Sequence, residues 1–303
     1  MPDFLVSFPK LNIIDLAVNR VAFEFNLFGR SISIYWYGIL IAAGFLIAMI
    51  LSLKQAKSFD LNPDHVSEMY MWIIPLGLIG ARLYYVAFAW SEFAGNPAKI
   101  IDTRTGGLAF YGGVIGGVIG VMIWSRVRKI PMTKIADFLI VYLPLGQAIG
   151  RWGNFFNQEA FGTNTMLPWG MISNGTRAYL NQVRLPGVNP NLPVHPTFFY
   201  EFVANLLTFI VLLIIRRKSI RPLTTVSAYL IMYGIVRFFV EGIRTDPLYV
   251  GDGRIRVSQW LSAAMVVAGV IILFVMRQRR RQTLEASLSS VPESGEDDVE
   301  IIE

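Results

Sequence analysis

The sequence predicts an all-α polytopic membrane protein: seven transmembrane helices with an irregular cap on the outer face. Three observations carry that prediction. Of the 303 residues, 54% are hydrophobic and only 16% charged, against about 25% charged in a typical soluble domain. The mean hydropathy is +0.49. Seven apolar stretches follow one another, and basic clusters recur after every second one, the pattern that loop charge imposes on membrane topology.

Taken in order, residues 1–33 are mildly amphipathic and close to neutral, and are expected at the outer surface. The apolar stretches are Ile34–Leu53, Met69–Trp90, Gly107–Trp124, Ile135–Ile149, Phe198–Ile215, Val226–Val240 and Ser258–Met276. A helix needs about 20 residues to cross the hydrocarbon layer. The fourth and sixth stretches are therefore expected to extend into the polar motifs that follow them. Lys54/Lys57, Arg126/Arg128/Lys129/Lys134, Arg216/Arg217/Lys218/Arg221 and Arg277/Arg279/Arg280/Arg281 follow the first, third, fifth and seventh stretches. With seven spans all four clusters share one side, and the positive-inside rule makes it cytoplasmic. The N-terminus then lies outside. The expected organisation is an outer segment 1–33, a membrane domain 34–282 with a Pro-, Gly- and Asn-rich outer loop 151–197, and an acidic, disordered cytoplasmic tail 283–303.

The composition also excludes chemistry. With no cysteine, disulfides, thiolate metal sites and a cysteine nucleophile are ruled out. The two histidines, His65 and His195, are too few and too separated for a histidine-rich metal site, so no metal and no cofactor is expected. No cleavable signal peptide is visible. The net charge of +6 belongs to the topology clusters and does not point to nucleic acid. No repeat at a solenoid period is present.

Four constellations remain. The run Gly150-Arg151-Trp152-Gly153-Asn154-Phe155-Phe156-Asn157-Gln158-Glu159-Ala160-Phe161-Gly162 follows directly on the fourth stretch. An arginine, two asparagines and a glutamate at a membrane edge are costly without partners, which makes them functional candidates. Glu159 fits either a structural pairing with Arg151 or a role in orienting an arginine or accepting a proton. In the sixth stretch Tyr233, Arg237, Glu241 and Arg244 fall on one helical face. Read as an internal ladder, the stripe pairs Glu241 with one arginine and leaves a second cation for an anionic ligand. Guanidinium groups stay charged and grip phosphate bidentately, so Arg151 and Arg237 together suggest a phospholipid head. In the third stretch Gly112, Gly116 and Gly120 recur every fourth residue beside Tyr111; the bare face suits close helix packing or passage of a lipid chain. Arg82 fits snorkelling or ligand contact. His195, before Pro196 at the head of the fifth stretch, reads as a hydrogen-bonded surface residue more readily than as a base.

These motifs resemble the phosphatidylglycerol–prolipoprotein diacylglyceryl transferases. Gly150 to Gly162 fits that family's pattern Gly-Arg-x-Gly-Asn-Phe-x-Asn-x-Glu-x-x-Gly at each fixed position. Tyr35-Trp36-Tyr37-Gly38, Gly80-Ala81-Arg82, the glycine-rich third stretch, His195-Pro196 with Tyr200-Glu201, and the Tyr233–Arg244 stripe extend the likeness over nearly all of the chain except the tail. The resemblance implies a multi-pass enzyme of the bacterial plasma (inner) membrane acting at its outer leaflet. It implies transfer of diacylglycerol from phosphatidylglycerol to the lipobox cysteine thiol of a preprolipoprotein, with release of glycerol phosphate. Arg151 and Arg237 are the implied phosphate-binding and catalytic pair. Tyr37, Asn154, Glu159, Gly162 and Tyr233 take supporting roles, with Asn157, His195, Glu241, Arg244 and Arg82 as further substrate-binding candidates. One departure stands out: many members carry a histidine where this chain has Tyr111. A phenol with a pKa near ~10 is a poor base at neutral pH, so Tyr111 is expected to orient the donor lipid while the two arginines stabilise the leaving phosphate and the thiolate. A lipid or anion transporter, and a structural protein whose polar stripe only joins helices, are the competing classes.

Overall fold

The computed structural model describes residues 4–27, 29–102, 106–218, 221–247, 249–250 and 255–289. Seven helical segments are long and apolar enough to cross a membrane: Trp36–Phe59, Pro63–Phe88, Phe110–Arg128, Met132–Asn157, Thr197–Lys218, Thr224–Ile243 and Val257–Thr283. Each overlaps one of the predicted stretches. The fourth extends through Asn157, so the polar run from Gly150 begins as helix.

The helices are α1 (Trp36–Gln55), α2 (Pro63–Phe88), α3 (Phe110–Arg128), α4 (Met132–Ile140), α5 (Tyr142–Asn157), α6 (Asn174–Val183), α7 (Thr197–Lys218), α8 (Thr224–Ile243) and α9 (Val257–Ser289). α2 starts six residues before the apolar stretch does, because Asn62 caps it: its side chain accepts the Asp64 N–H, and Pro63 takes the first turn. α4 and α5 break at Val141. Pro144 lacks the N–H that would bond Ile140, which is reason enough for the interruption. α8 has no cap of its own at Leu223. Asp137 of α4 supplies one, its carboxylate accepting the backbone N–H groups of Leu223, Thr225 and Val226. A carboxylate at a helix N-terminus also meets the positive end of the dipole.

The cap is less irregular than the sequence suggests, and the chain is not wholly α. Strands β1 (Leu5–Phe8) and β2 (Ile13–Ala17) form a hairpin, and β3 (Val21–Leu27) pairs with β4 (Arg30–Tyr35). β1 also pairs with β5 (Ile172–Ser173), Val6 opposite Ser173, which stitches the N-terminal segment to the loop after α5. α6 follows β5 behind a capping box of Ser173 and Thr176. A last hairpin joins β6 (Tyr249–Val250) to β7 (Ile255–Arg256). β5, β6 and β7, two residues each, are too short to show an alternation, whereas Phe23-Glu24-Phe25-Asn26-Leu27 and Ser31-Ile32-Ser33-Ile34 do alternate and carry a strand signal. α9 continues through Ser289; the rest of the acidic tail, 290–303, lies outside the described residues.

Buried side chains gather at the two ends of the bundle. One cluster packs Val6, Val18, Phe155, Phe161, Met171, Leu180, Val194 and Phe198 under the cap. A small one packs Val141, Leu212 and Tyr229, and the third, built around Met69, Trp124, Ile135 and Phe138, lies at the opposite ends of the helices. There the Arg216 guanidinium sits over the rings of Phe59, Phe138 and Tyr142 and donates to the Phe138 carbonyl and to Gln55. The cation predicted to mark topology is thus drawn inward by aromatic faces.

Candidate functional site

The charged side chains meet at the cap end of α5, α7 and α8. Glu201, on the second turn of α7, is 1% exposed. Its Oε1 faces two guanidinium groups from two other helices: Arg151 Nη2 of α5 at 2.9 Å and Arg237 Nη1 of α8 at 3.1 Å. Arg237 turns its second terminal nitrogen to Glu241 one turn on, also buried. The ladder read along α8 is therefore real for 237 and 241, but Glu201 shares Arg237 with Glu241, and the cation that the sequence leaves over, Arg244, is taken up by Asp246. Arg244 is the C-cap of α8 with extended backbone, so it leaves the helical face and pairs with Asp246 through Nε and Nη2. Burial works against its charge, and Asp246 more than offsets that, raising the Arg244 pKa above its usual value.

A polar relay runs outward from Arg151. Its Nη1 donates to Asn154 Oδ1 at 3.4 Å; Asn154 Nδ2 donates to Glu159 Oε1 at 3.0 Å, and Asn157 Nδ2 to the same oxygen at 3.2 Å. Glu159 thus orients the two asparagines, one of which meets Arg151. Gly153 is required here by space, because a Cβ would run into the Tyr37 ring. That contact seats the phenol of Tyr37 within electrostatic reach of Glu159 and Arg151. Tyr233 has Arg151, Glu201, Arg237 and Tyr111 as electrostatic neighbours. The structure therefore brings together Tyr37, Tyr111, Arg151, Asn154, Asn157, Glu159, Tyr233, Arg237, Glu241 and Arg244. Tyr111 is half-exposed, its ring 6.4 Å from that of Tyr84.

Gly162 holds the frame. Its N–H donates to the His195 carbonyl, it bridges to Arg244, and a Cβ would press on His195 and the Ile243 carbonyl. The loop after α5 is thus clamped between the start of α7 and the end of α8. His195 contributes by its backbone; its ring faces elsewhere, with Nδ1 2.9 Å from the Tyr200 hydroxyl, which accepts the Trp169 indole N–H at 2.9 Å. Desolvation holds the imidazole below its usual pKa, which favours the neutral ring at pH 7, and Nδ1 shares its hydrogen bond with the Tyr200 hydroxyl.

Arg82 stands apart from both sequence readings. It is buried, and its nitrogens donate to the carbonyls of Lys99, Ile100, Asp102, Gly106 and Gly107. Neither snorkelling nor ligand contact leaves it that many backbone partners. Its guanidinium lies 5.1 Å from the Phe93 ring centroid. Arg82→Met is expected to lower stability by about 2 kcal/mol, since five loop carbonyls lose a charged donor. Faster tryptic cleavage after Lys99 in detergent would register it; an unchanged digestion rate would refute the role.

Sequence reasoning missed Glu201 as a site residue. The available signal was an acid one turn inside an apolar span, which in a membrane needs a partner. Among the described residues, Glu201 Oε2, Asn205 Nδ2 one turn further along α7, and Gln147 Oε1 one turn before Arg151 are buried without hydrogen-bond partners. Such groups are rare and call for an explanation.

Fold and site together define a multi-pass helical membrane protein with an arginine–carboxylate cluster buried under a cap at one end of the bundle. Its residues 22–275 match the family model for prolipoprotein diacylglyceryl transferase. Relatives named phosphatidylglycerol–prolipoprotein diacylglyceryl transferase include one from Finegoldia magna, 42% identical over 257 residues, covering 84% of this chain and 94% of the relative. One from Clostridioides difficile is 40% identical over 267 residues, covering 88% and 99%. One from Enterococcus faecalis is 42% identical over 269 residues, covering 86% and 91%. The chain belongs to the prolipoprotein diacylglyceryl transferase family.

Proposed function

We propose that this protein transfers the sn-1,2-diacylglyceryl group of phosphatidylglycerol to the lipobox cysteine thiol of preprolipoproteins, the first step of lipoprotein modification. The observation that carries the reading is the pair of arginines, from α5 and α8, that converge on one buried carboxylate. The thiolate attacks the glyceryl carbon that bears the phosphoester oxygen. A C–S bond forms, the C–O bond breaks, and its electron pair leaves on glycerol phosphate. The phosphate goes from one negative charge to two. Two guanidinium forks answer that change, because they bind the developing charge more strongly than the ground state. Asn154 and Asn157, held by Glu159, offer amide groups to ester or glycerol oxygens. Tyr37, Tyr111 and Tyr233 border the same space and orient the donor lipid. The membrane domain is 34–282, lying in the bacterial plasma membrane with the N-terminus and the site outside and the basic clusters and C-terminus in the cytoplasm. No cofactor takes part.

The test is to incubate the purified protein in phosphatidylglycerol-containing detergent with a lipobox peptide and weigh the peptide by mass spectrometry. A diacylglyceryl mass gain with the cysteine peptide, absent with a serine peptide, is expected. No gain with folded protein would return the weight to lipid binding or transport.

A further inference from the structure

The arginines of the site are paired before any substrate arrives. Arg151 and Arg237 face Glu201 and Glu241, and Arg244 faces Asp246. A phosphate that engages the two arginines must compete with Glu201 for them. Glu201 is then a buried carboxylate with its cations turned toward another anion, and its Oε2 has no partner at all. Burying a charge without a counter-ion is among the costlier acts in a protein, and proton uptake relieves it. The reaction releases one proton, from the thiol.

Resting on the proposed transfer, we infer that Glu201 is the general base of the reaction, its free Oε2 taking the thiol proton once lipid phosphate has drawn Arg151 and Arg237 away. The S–H bond breaks toward Glu201 as the C–S bond forms and the C–O bond to phosphate breaks. Glu201 then returns the proton to the doubly charged glycerol phosphate or to water, and recovers its arginines as product leaves. The order is built in: without bound lipid the carboxylate is occupied by cations, so thiol activation waits for the phosphate. The charged and titratable groups that face Glu201 are Arg151 on α5, Tyr233, Arg237 and Glu241 on α8, and Arg244 at its end. Glu241 stays paired in this scheme: Arg237 turns Nη1 from Glu201 to the phosphate while Nη2 keeps its contact with Glu241 one turn along the same helix.

The test compares wild type, Glu201→Gln and Glu201→Asp as full chains in phosphatidylglycerol-containing detergent. Single-turnover rates are measured from pH 6 to 9 with a lipobox peptide carrying cysteine, and with the same peptide carrying selenocysteine. A selenol is already ionised at neutral pH and needs no base. For the cysteine peptide at pH 7, Glu201→Gln is expected to lose ~10²–10⁴-fold. Its rate should climb about tenfold per pH unit toward the free thiol's pKa of about 8.5, while the wild-type rate stays nearly flat. With selenocysteine the Gln variant should recover to within about tenfold of wild type, and Glu201→Asp should lie between on cysteine. A Gln variant whose pH profile parallels wild type, or one that turns over neither peptide, overturns the assignment and leaves Glu201 a structural counter-ion. A wild type that adds no mass to either peptide removes the transfer reading itself, and the base with it.

Discussion

Arg237→Ala is expected to reduce transfer by at least about 10³-fold, and Arg237→Lys to recover little of it. One guanidinium bridges Glu201 on α7 and Glu241 on its own helix. Truncation leaves two buried carboxylates short of a counter-ion, and breaking a buried pair from one side typically costs about 3–5 kcal/mol. Lysine restores a charge but not the planar fork that reaches two acceptors at once. Turnover by peptide mass and thermal unfolding in detergent should be read together, because this variant is expected to lose both. Pairing it with Glu241→Gln separates them: the double variant should regain part of the lost stability, having one buried charge fewer, and none of the activity. Activity returning with stability would mean that Arg237 matters only as glue between helices, as the structural reading of the stripe has it.

That distinction shows where the sequence is informative and where it stops. Spacing alone places residues 233, 237 and 241 on one face of α8, because a helix repeats every 3.6 residues. Polarity inside an apolar run marks Arg151 as expensive and so worth explaining. The seven spans follow from hydropathy, since a bilayer leaves the backbone little choice. Partners across helices are another matter. Glu201 lies far along the chain from both Arg151 and Arg237, the latter at |i−j| = 36, and nothing in local pattern says which carboxylate meets which guanidinium. Arg82 illustrates the opposite failure. Read locally it is a stray cation; in the fold it is the hub of a loop whose carbonyls converge on it. Asp137 is invisible for the same reason, as the helix it caps starts |i−j| = 86 away. The pairing of Val6 with Ser173 is invisible for the same reason, whereas β3 and β4 pair locally and leave an alternation in the sequence.

Gly116→Val is expected to be the most destabilising single change in the membrane domain. Gly80 of α2 and Gly112, Gly116 and Gly120 of α3 lie where the two helices cross. A Cβ at Gly116 would fall well inside 3.0 Å of the Leu76 carbonyl, and one at Gly112 would meet Gly80 and Tyr84 in the same way. What lies opposite is backbone, which has no rotamer to yield, so the helices themselves must part. Overpacking of ordinary side chains costs about 1–3 kcal/mol, and this site should exceed that range. Gly117 supplies the control on the same helix: the nearest atom to its Cβ is the Ile73 side chain at 3.7 Å, so Gly117→Val should unfold close to wild type. Equal loss at 116 and 117 would mean that helix propensity, and not the crossing, sets the effect. The consequence reaches the candidate site. Ala109 donates its N–H to the Ala81 carbonyl at 3.0 Å, and Tyr111 directly precedes Gly112, the first α3 glycine of the crossing. Separating α2 from α3 therefore carries Tyr111 away from Tyr84 and Tyr233, and any Gly116→Val protein that still folds should bind donor lipid more weakly while its Arg151–Glu201–Arg237 cluster stays intact.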